Sequence, residues 1–246
     1  MSRQQTEWDL EKLVMWADET FLIVNKPAGL LVIRGGYGND PYLAELLEPT
    51  YGRIWIVHRL DRPTSGVLIV ARTADAHRDL NTQFEQRNVH KVYHALVKGT
   101  PSWTEHTVHL ALQRDGDRRH RTVVDPKRGK PSTTHLSVLE RFGTLTLLEA
   151  RPETGRTHQI RAHLAALDMS IVADKLYWGG DALRTSDLEA APQGSDEHTL
   201  IARPALHAHS ISFSHPVTGE ALTFTAPYPQ DLAATLSYLQ ANTKDP

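Results

Sequence analysis

Ile54-Trp-Ile-Val57-His-Arg-Leu-Asp61-Arg-Pro-Thr-Ser-Gly66-Val-Leu-Ile-Val-Ala71 carries two apolar runs separated by a polar, turn-forming insert. Both runs are of strand length and rich in β-branched residues, so strands are expected over 54–57 and 66–71. Side chains alternate along an extended chain, which puts Arg59 and Asp61 on the same side of the strand end. A carboxylate flanked there by cations stays ionised and can act, without a metal, as nucleophile or general base. A surface ion pair on a loop is the plainer reading of the same residues. Loops carried by rigid strands are nonetheless where catalytic groups concentrate.

Upstream, residues 1–18 read as an arm or a first helix. Phe21-Leu-Ile-Val24 runs as a strand into the turn Asn25-Lys-Pro-Ala-Gly29, which lacks the glycine spacing of a phosphate loop and is expected to place Lys26 near the site. Gly35-Gly-Tyr-Gly-Asn-Asp40 is a loop. Downstream, Thr73 or Asp75 can cap a helix in which Ala76, Leu80 and Phe84 recur at helical spacing. Strands are expected over Val92–Val97, with Tyr93, Ala95 and Val97 on one face, and over Thr133–Glu140 and Gly143–Ala150. Thr154-Gly-Arg-Thr-His-Gln-Ile-Arg161 leads into a helix with Ile160, Leu164 and Leu167 on one face. Thr157 is the expected cap, and the free N–H groups there favour an anion. Arg156 and Arg161 are in reach of a phosphate or a buried carboxylate, although a solvated basic helix face explains them as well. Residues 179–200 read as a mobile loop. Ile211, Phe213, the turn 215–220, Leu222 and Phe224 read as a β-hairpin. Many short strands interleaved with two or three helices give one α+β domain.

Composition narrows the chemistry. The 246 residues hold 27 Lys and Arg against 29 Asp and Glu, a net charge of −2, and no cysteine. Disulfides, thiolate zinc sites and a cysteine nucleophile are excluded together. No apolar run is long enough to span a bilayer, and the polar start has no signal-peptide core, so a cytoplasmic protein is expected. The charge balance argues against a general nucleic-acid coat. Residues 114–130 break it locally, with seven basic side chains, Arg118, Arg119 and Arg121 among them, against three acidic ones. Such a cluster without aromatics suits phosphate contacts, and a solvated hairpin tip explains it nearly as well. Fourteen histidines invite a metal reading, above all the pair in Leu206-His-Ala-His209. With no His-Glu-x-x-His helix and no carboxylate spaced with that pair, a metal phosphoesterase built on His207 and His209 is the weaker reading, and no metal is expected.

Five of these segments, in order over roughly residues 15–228, resemble the RluA-type pseudouridine synthases: Asn25-Lys-Pro-Ala-Gly29, His58-Arg-Leu-Asp-x-x-Thr-Ser-Gly66, Lys91-x-Tyr93, Thr154-Gly-Arg-Thr-His-Gln-Ile-Arg161, and Leu206-His-Ala-His209 with His215-Pro-x-Thr-Gly-Glu220. The resemblance implies a mixed, mostly antiparallel sheet flanked by helices and loops, with a catalytic domain over 15–235, an arm over 1–14 and a tail over 236–246. It implies that Asp61 is the catalytic aspartate, that Tyr93 stacks on the target base and helps remove its C5 proton, and that Arg161 pairs with the aspartate. Ile160 is then the apolar residue against the base, and Arg59 fills the gap left by a flipped nucleotide. His58, Thr64, Arg156 and the Arg118, Arg119 and Arg121 patch are the remaining expected substrate contacts.

The implied reaction breaks the N1–C1′ bond of a uridine, rotates the base and joins C5 to C1′, with no redox change and no cofactor. A bidentate Arg161 would keep the aspartate ionised. Stacking on Tyr93 would offset the few kcal/mol needed to unstack the uracil. The implied partner is tRNA or an rRNA stem-loop, bound by a monomer with no obligate protein partner. The alternative is an RNA-binding, RNA-folding protein with a silent catalytic site. One stretch departs from the family, which usually reads Gly-x-Pro-Ile-x-Gly-Asp where this chain has Asp168-Met-Ser-Ile-Val-Ala-Asp174, so an altered turn is expected there. About twenty residues precede the first expected strand, too few for the S4 domain many relatives carry. RNA recognition is therefore expected from 114–130 and the 34–40 loop.

Overall fold

A computed structural model describes residues 8–35, 40–188 and 197–242. In chain order the elements begin with α1 (Leu10–Leu13), β1 (Val14–Ala17), β2 (Phe21–Lys26), α2 (Leu43–Tyr51), β3 (Trp55–Ile56), β4 (Ser65–Ala71) and α3 (Ala74–Glu85). The long strands β5 (His90–Lys98), β6 (Glu105–Gln113), β8 (Lys130–Phe142) and β9 (Leu145–Pro152) follow, with the short β7 (Val123–Val124) between β6 and β8. The chain ends through α4 (Gln159–Ala166), β10 (Leu183–Arg184), β11 (Thr199–Ile201), β12 (Leu206–Ser214), β13 (Ala221–Thr225) and α5 (Gln230–Asn242). The fold is α+β, a mostly antiparallel sheet with five α-helices among the described residues, in agreement with the sequence reading.

The chain divides into two compact units. The first comprises residues 1–89 and 210–227. Its centre is β4, every residue of which is buried, paired antiparallel with β2 (Ile23 opposite Ile69) and with β3 (Ile56 opposite Val70). Each fully buried Leu, Ile or Val contributes about 1.5–3 kcal/mol relative to exposure, which makes this strand a firm base for the loop before it. The Thr73 hydroxyl caps α3 by accepting from the Ala76 N–H, and Ala76 and Leu80 are buried as the periodicity requires. The expected hairpin forms, with Ile211 opposite Phe224 and Phe213 opposite Leu222.

The second unit comprises residues 90–209 and 228–246. The ladders β5–β9, β9–β8 and β8–β6 are all antiparallel, and α4 and α5 lay Ile160, Leu164, Leu232, Leu236 and Leu239 into one apolar core with Leu96, Leu136 and Leu148. Three differences from the sequence reading stand out. Part of 179–200 is ordered, because Leu183 pairs with Ile201 across the β10–β11 ladder; residues 189–196 lie outside the described set. Helix α5 continues to Asn242, through most of the segment assigned to a tail, because Leu236 and Leu239 are buried. At the other end, the expected arm 1–14 includes helix α1, with Leu13 buried, and its residues 1–7 are not described. Among the described residues no helix is long and apolar enough to cross a membrane.

Candidate active site

Asp61 lies within the stretch between β3 and β4, in the first unit. Its carbonyl accepts the Thr64 N–H at 3.0 Å, closing a tight turn at the mouth of β4. Gly66 follows at φ 116°, a conformation L residues avoid, so the chain can turn sharply into the strand. A second segment clamps the turn. Lys26, with 0% exposure, donates its ammonium to the carbonyls of Pro27 (2.8 Å), Leu30 (3.0 Å) and Arg62 (3.2 Å). Gly29 N–H donates to the Arg62 carbonyl at 2.8 Å, and Arg62 Nε returns a bond to the Gly29 carbonyl at 3.0 Å. Arg62 also reaches Asp40 at 2.9 Å. The turn 25–29 therefore positions Lys26 against the residue that follows Asp61, as the sequence suggested.

Within the motif, Arg59 is exposed, Asp61 half-buried and Thr64 buried. His58 Nε2 accepts the Ile69 N–H at 3.1 Å and its ring packs on Phe84, with centroids 4.8 Å apart. Those contacts make His58 a support of the loop, and the burial of Thr64 gives it the same character. The 34–40 loop expected to recognise RNA lies partly outside the described residues, at 36–39.

Tyr93, Ile160, Arg161, Arg156 and the three hairpin arginines fall in the second unit. Tyr93 is half-buried on β5 opposite Ala150 and packs on the apolar core; Ile160 is buried within it, and Arg156 is exposed. Lys91, on the Tyr93 side of β5, has its pKa lowered by burial. Arg161 is only 6% exposed, and its fork grips Asp174, itself 0% exposed, through Nε at 2.7 Å and Nη2 at 2.8 Å. Two charges this deep persist because each satisfies the other with paired hydrogen bonds.

The start of α4 corrects one expectation. Thr157 does not cap the helix. The chain is left-handed at His158 (φ 52°), and no side chain among the described residues caps the first turn. Gln159 organises the loop instead: its carbonyl oxygen accepts from Thr154 Oγ1 (2.6 Å) and from the Arg156 N–H (3.1 Å), while its amide donates to the Thr133 carbonyl (2.9 Å) and Thr134 Oγ1 (3.0 Å). Thr134 passes a hydrogen to His163 Nδ1 at 2.9 Å, and His163 Nε2–H donates to Ser132 Oγ at 2.9 Å, which donates to the Leu110 carbonyl at 2.7 Å. This chain of bonds suits a neutral imidazole, and burial, reinforced by His109, lowers the His163 pKa to about 4. It pins α4, and with it Arg161, to β6 and β8. Polar residues inside a helical pattern were the only sequence signal for it.

The basic stretch divides on inspection. Arg121 Nε is committed to Asp117 at 2.6 Å, and Arg119 Nη2 to the Lys175 carbonyl at 2.9 Å. Arg118 is exposed and has no intramolecular partner among the described residues. The two positions at which the family pattern has glycine, Asp168 and Ala173, both run left-handed here, at φ 56° and 58°. Three further histidines, His94, His207 and His209, form a packed group. His207 is fully buried, and His209 stacks on His94 with ring centroids 3.9 Å apart, beside Tyr228. Burial and these two neighbours lower the His94 pKa to about 4. Among the described residues no three His, Asp or Glu side chains are grouped to hold a metal.

Residues 20–166 match the family described as RNA pseudouridylate synthase. Ribosomal large subunit pseudouridine synthase D of Xanthomonas campestris pv. campestris is 40% identical over 94% of this chain and 70% of its own length. The enzyme of that name from Neisseria meningitidis serogroup B is 36% identical over 92% of this chain, which spans only 61% of that protein. Among solved structures, human RNA pseudouridylate synthase domain containing 1 superposes with a TM-score of 0.68 at 28% identity, covering 95% of this chain and 96% of its own. Human RNA pseudouridylate synthase domain containing 4 shares the fold at TM-score 0.72 and 24% identity, covering 94% of both chains. From its motifs, its fold and these matches, the chain belongs to the RNA pseudouridylate synthase family.

Proposed function

We propose that this chain isomerises uridine to pseudouridine in large-subunit ribosomal RNA, with Asp61 as the catalytic carboxylate. The observation that carries the reading is the clamped loop: Lys26, Gly29 and Arg62 hold the chain beside Asp61 through three hydrogen bonds of 2.8–3.2 Å. A rigidly carried carboxylate that stays ionised is what base–sugar exchange without a cofactor requires. The family resemblance assigns Arg161, gripped by Asp174, to the same reaction. Tyr93 stacks on the uracil and assists loss of the C5 proton, Ile160 packs on the base, and Arg59 fills the vacated stack. Arg118 and Arg156, both exposed, contact phosphate. The names of the relatives favour large-subunit rRNA over tRNA. The protein works in the cytoplasm as a monomer, within a catalytic domain spanning 15–235.

Tritium release from unmodified [5-³H]uridine-labelled large-subunit rRNA and from tRNA, with wild type and Asp61→Asn side by side, tests this. Release by the wild type from rRNA alone is expected. Equal release by Asp61→Asn would overturn the catalytic assignment, and RNA binding without release would favour the RNA-folding alternative.

A further inference from the structure

The basic tip between β6 and β7 is fastened to the turn that holds Arg161, and one side chain does most of the fastening. The Tyr177 hydroxyl accepts the Thr122 N–H at 3.0 Å, donates to the Thr122 carbonyl at 3.0 Å and lies 3.3 Å from His158 Nδ1. That exhausts a phenol's single donor and two acceptor positions. Its ring contacts two cations, with the Arg161 guanidinium carbon 5.2 Å and that of Arg121 5.9 Å from the ring centre. Arg121 reaches the Leu176 carbonyl at 3.4 Å, and Arg119 the Lys175 carbonyl at 2.9 Å. The same turn holds Asp174, whose Oδ1 accepts both Arg161 and the Leu176 N–H.

We propose that Tyr177 is a positioning residue for Arg161, locking the basic tip to the 174–178 turn so that the Arg161 fork is fixed when the tip is docked. The inference rests on Arg161 serving the reaction proposed above. Two cation–π contacts and a saturated hydroxyl leave the ring a single orientation. His158 is held left-handed, at φ 52°, beside the same hydroxyl, a strained conformation that its surroundings must maintain. The hairpin arginines then have two tasks: Arg118 meets RNA, while Arg119 and Arg121 hold the tip down.

The test compares wild type, Tyr177→Phe and Arg121→Lys as full chains. Tyr177→Phe keeps the ring against the guanidiniums and removes the three hydroxyl contacts. Arg121→Lys keeps the charge and loses the paired reach to Asp117 and the Leu176 carbonyl. Hydrogen exchange without RNA should accelerate at least tenfold at the Leu176 and Trp178 amides in both variants, with the β8–β9 ladder unchanged. Single-turnover tritium release should slow at least tenfold while filter-binding affinity for the RNA stays within twofold. Unchanged exchange at 176 and 178 in both variants would overturn the proposal whatever the activity. So would a loss of affinity equal to the loss of rate. A wild type that releases no tritium would sink the proposed function instead, and the exchange result would still decide the positioning role.

Discussion

Replacing Asp174 by alanine should unfold this protein far more readily than an ordinary core truncation. The carboxylate is fully buried, accepts Arg161 Nε and Nη2 at 2.7 and 2.8 Å, and takes the Leu176 N–H at 3.1 Å. Its removal leaves a guanidinium of 6% exposure without its paired acceptor. Breaking one side of such a pair costs about 3–5 kcal/mol, most of it for the charge left behind. For a chain of this length each kcal/mol moves the melting temperature by about 2–4 °C, so a fall of roughly 10 °C is expected in a thermal melt. Arg161→Met combined with Asp174→Ala removes both members of the buried pair and should melt above Asp174→Ala alone. A fall below about 3 °C for the single variant, or a double variant no better than the single, would refute the reasoning.

Other outcomes follow from the same geometry. Burial keeps His94 and His163 at about 4 in the folded protein, against about 6.5 in an unfolded chain. The unfolded chain therefore takes up protons first, and stability complete above about pH 6.5 is lost as pH falls towards 4, by up to about 3 kcal/mol for each histidine. Urea midpoints at pH 7 and pH 5 check this, and equal midpoints would contradict it. Asp168 sits at φ 56° just past α4, where its N–H reaches the Ala165 carbonyl and the Met169 N–H the Leu164 carbonyl, the paired bonds of a glycine-type helix end. Asp168→Gly should stabilise by about 0.5–1 kcal/mol, seen as a melting temperature raised by a few degrees. Arg118→Ala should lower the slope of log affinity for RNA against log salt by about 1, while Arg121→Lys, its charge kept, should leave that slope unchanged.

Some of this was legible in the chain and some was not, for local reasons. β4, α3 and the 206–225 hairpin were readable because alternation, a threonine cap and a turn each act within a few residues. Helix α2 was missed because Pro49 lies inside it and Tyr42 offers no side-chain cap. β10 and β11 are too short to carry a period. At the site, the motif around Asp61 announced itself, and the role of Lys26 was half visible in Asn25-Lys-Pro-Ala-Gly29. What stayed hidden was the choice of partners. Arg161 finds Asp174 13 residues away, and Gln159 displaces Thr157 as organiser of the helix start, because the left-handed turn at His158 redirects the chain. Spacing rules describe faces of regular elements, and neither contact belongs to one. The three arginines of the hairpin look alike in sequence and differ only through Asp117 and the carbonyls of the 174–178 turn.

The enclosure of Lys26 gives the laboratory a reporter. An amine with no exposed surface, donating to a carbonyl of the Asp61 turn and to two of the segment clamped on it, is sheltered from acylating reagents for as long as that turn is closed. Exposed lysines such as Lys12, Lys127 and Lys130 take up label at once and serve as internal standards. The rate at which Lys26 becomes acetylated thus times the opening of the loop that carries the carboxylate, without RNA, turnover or any engineered probe.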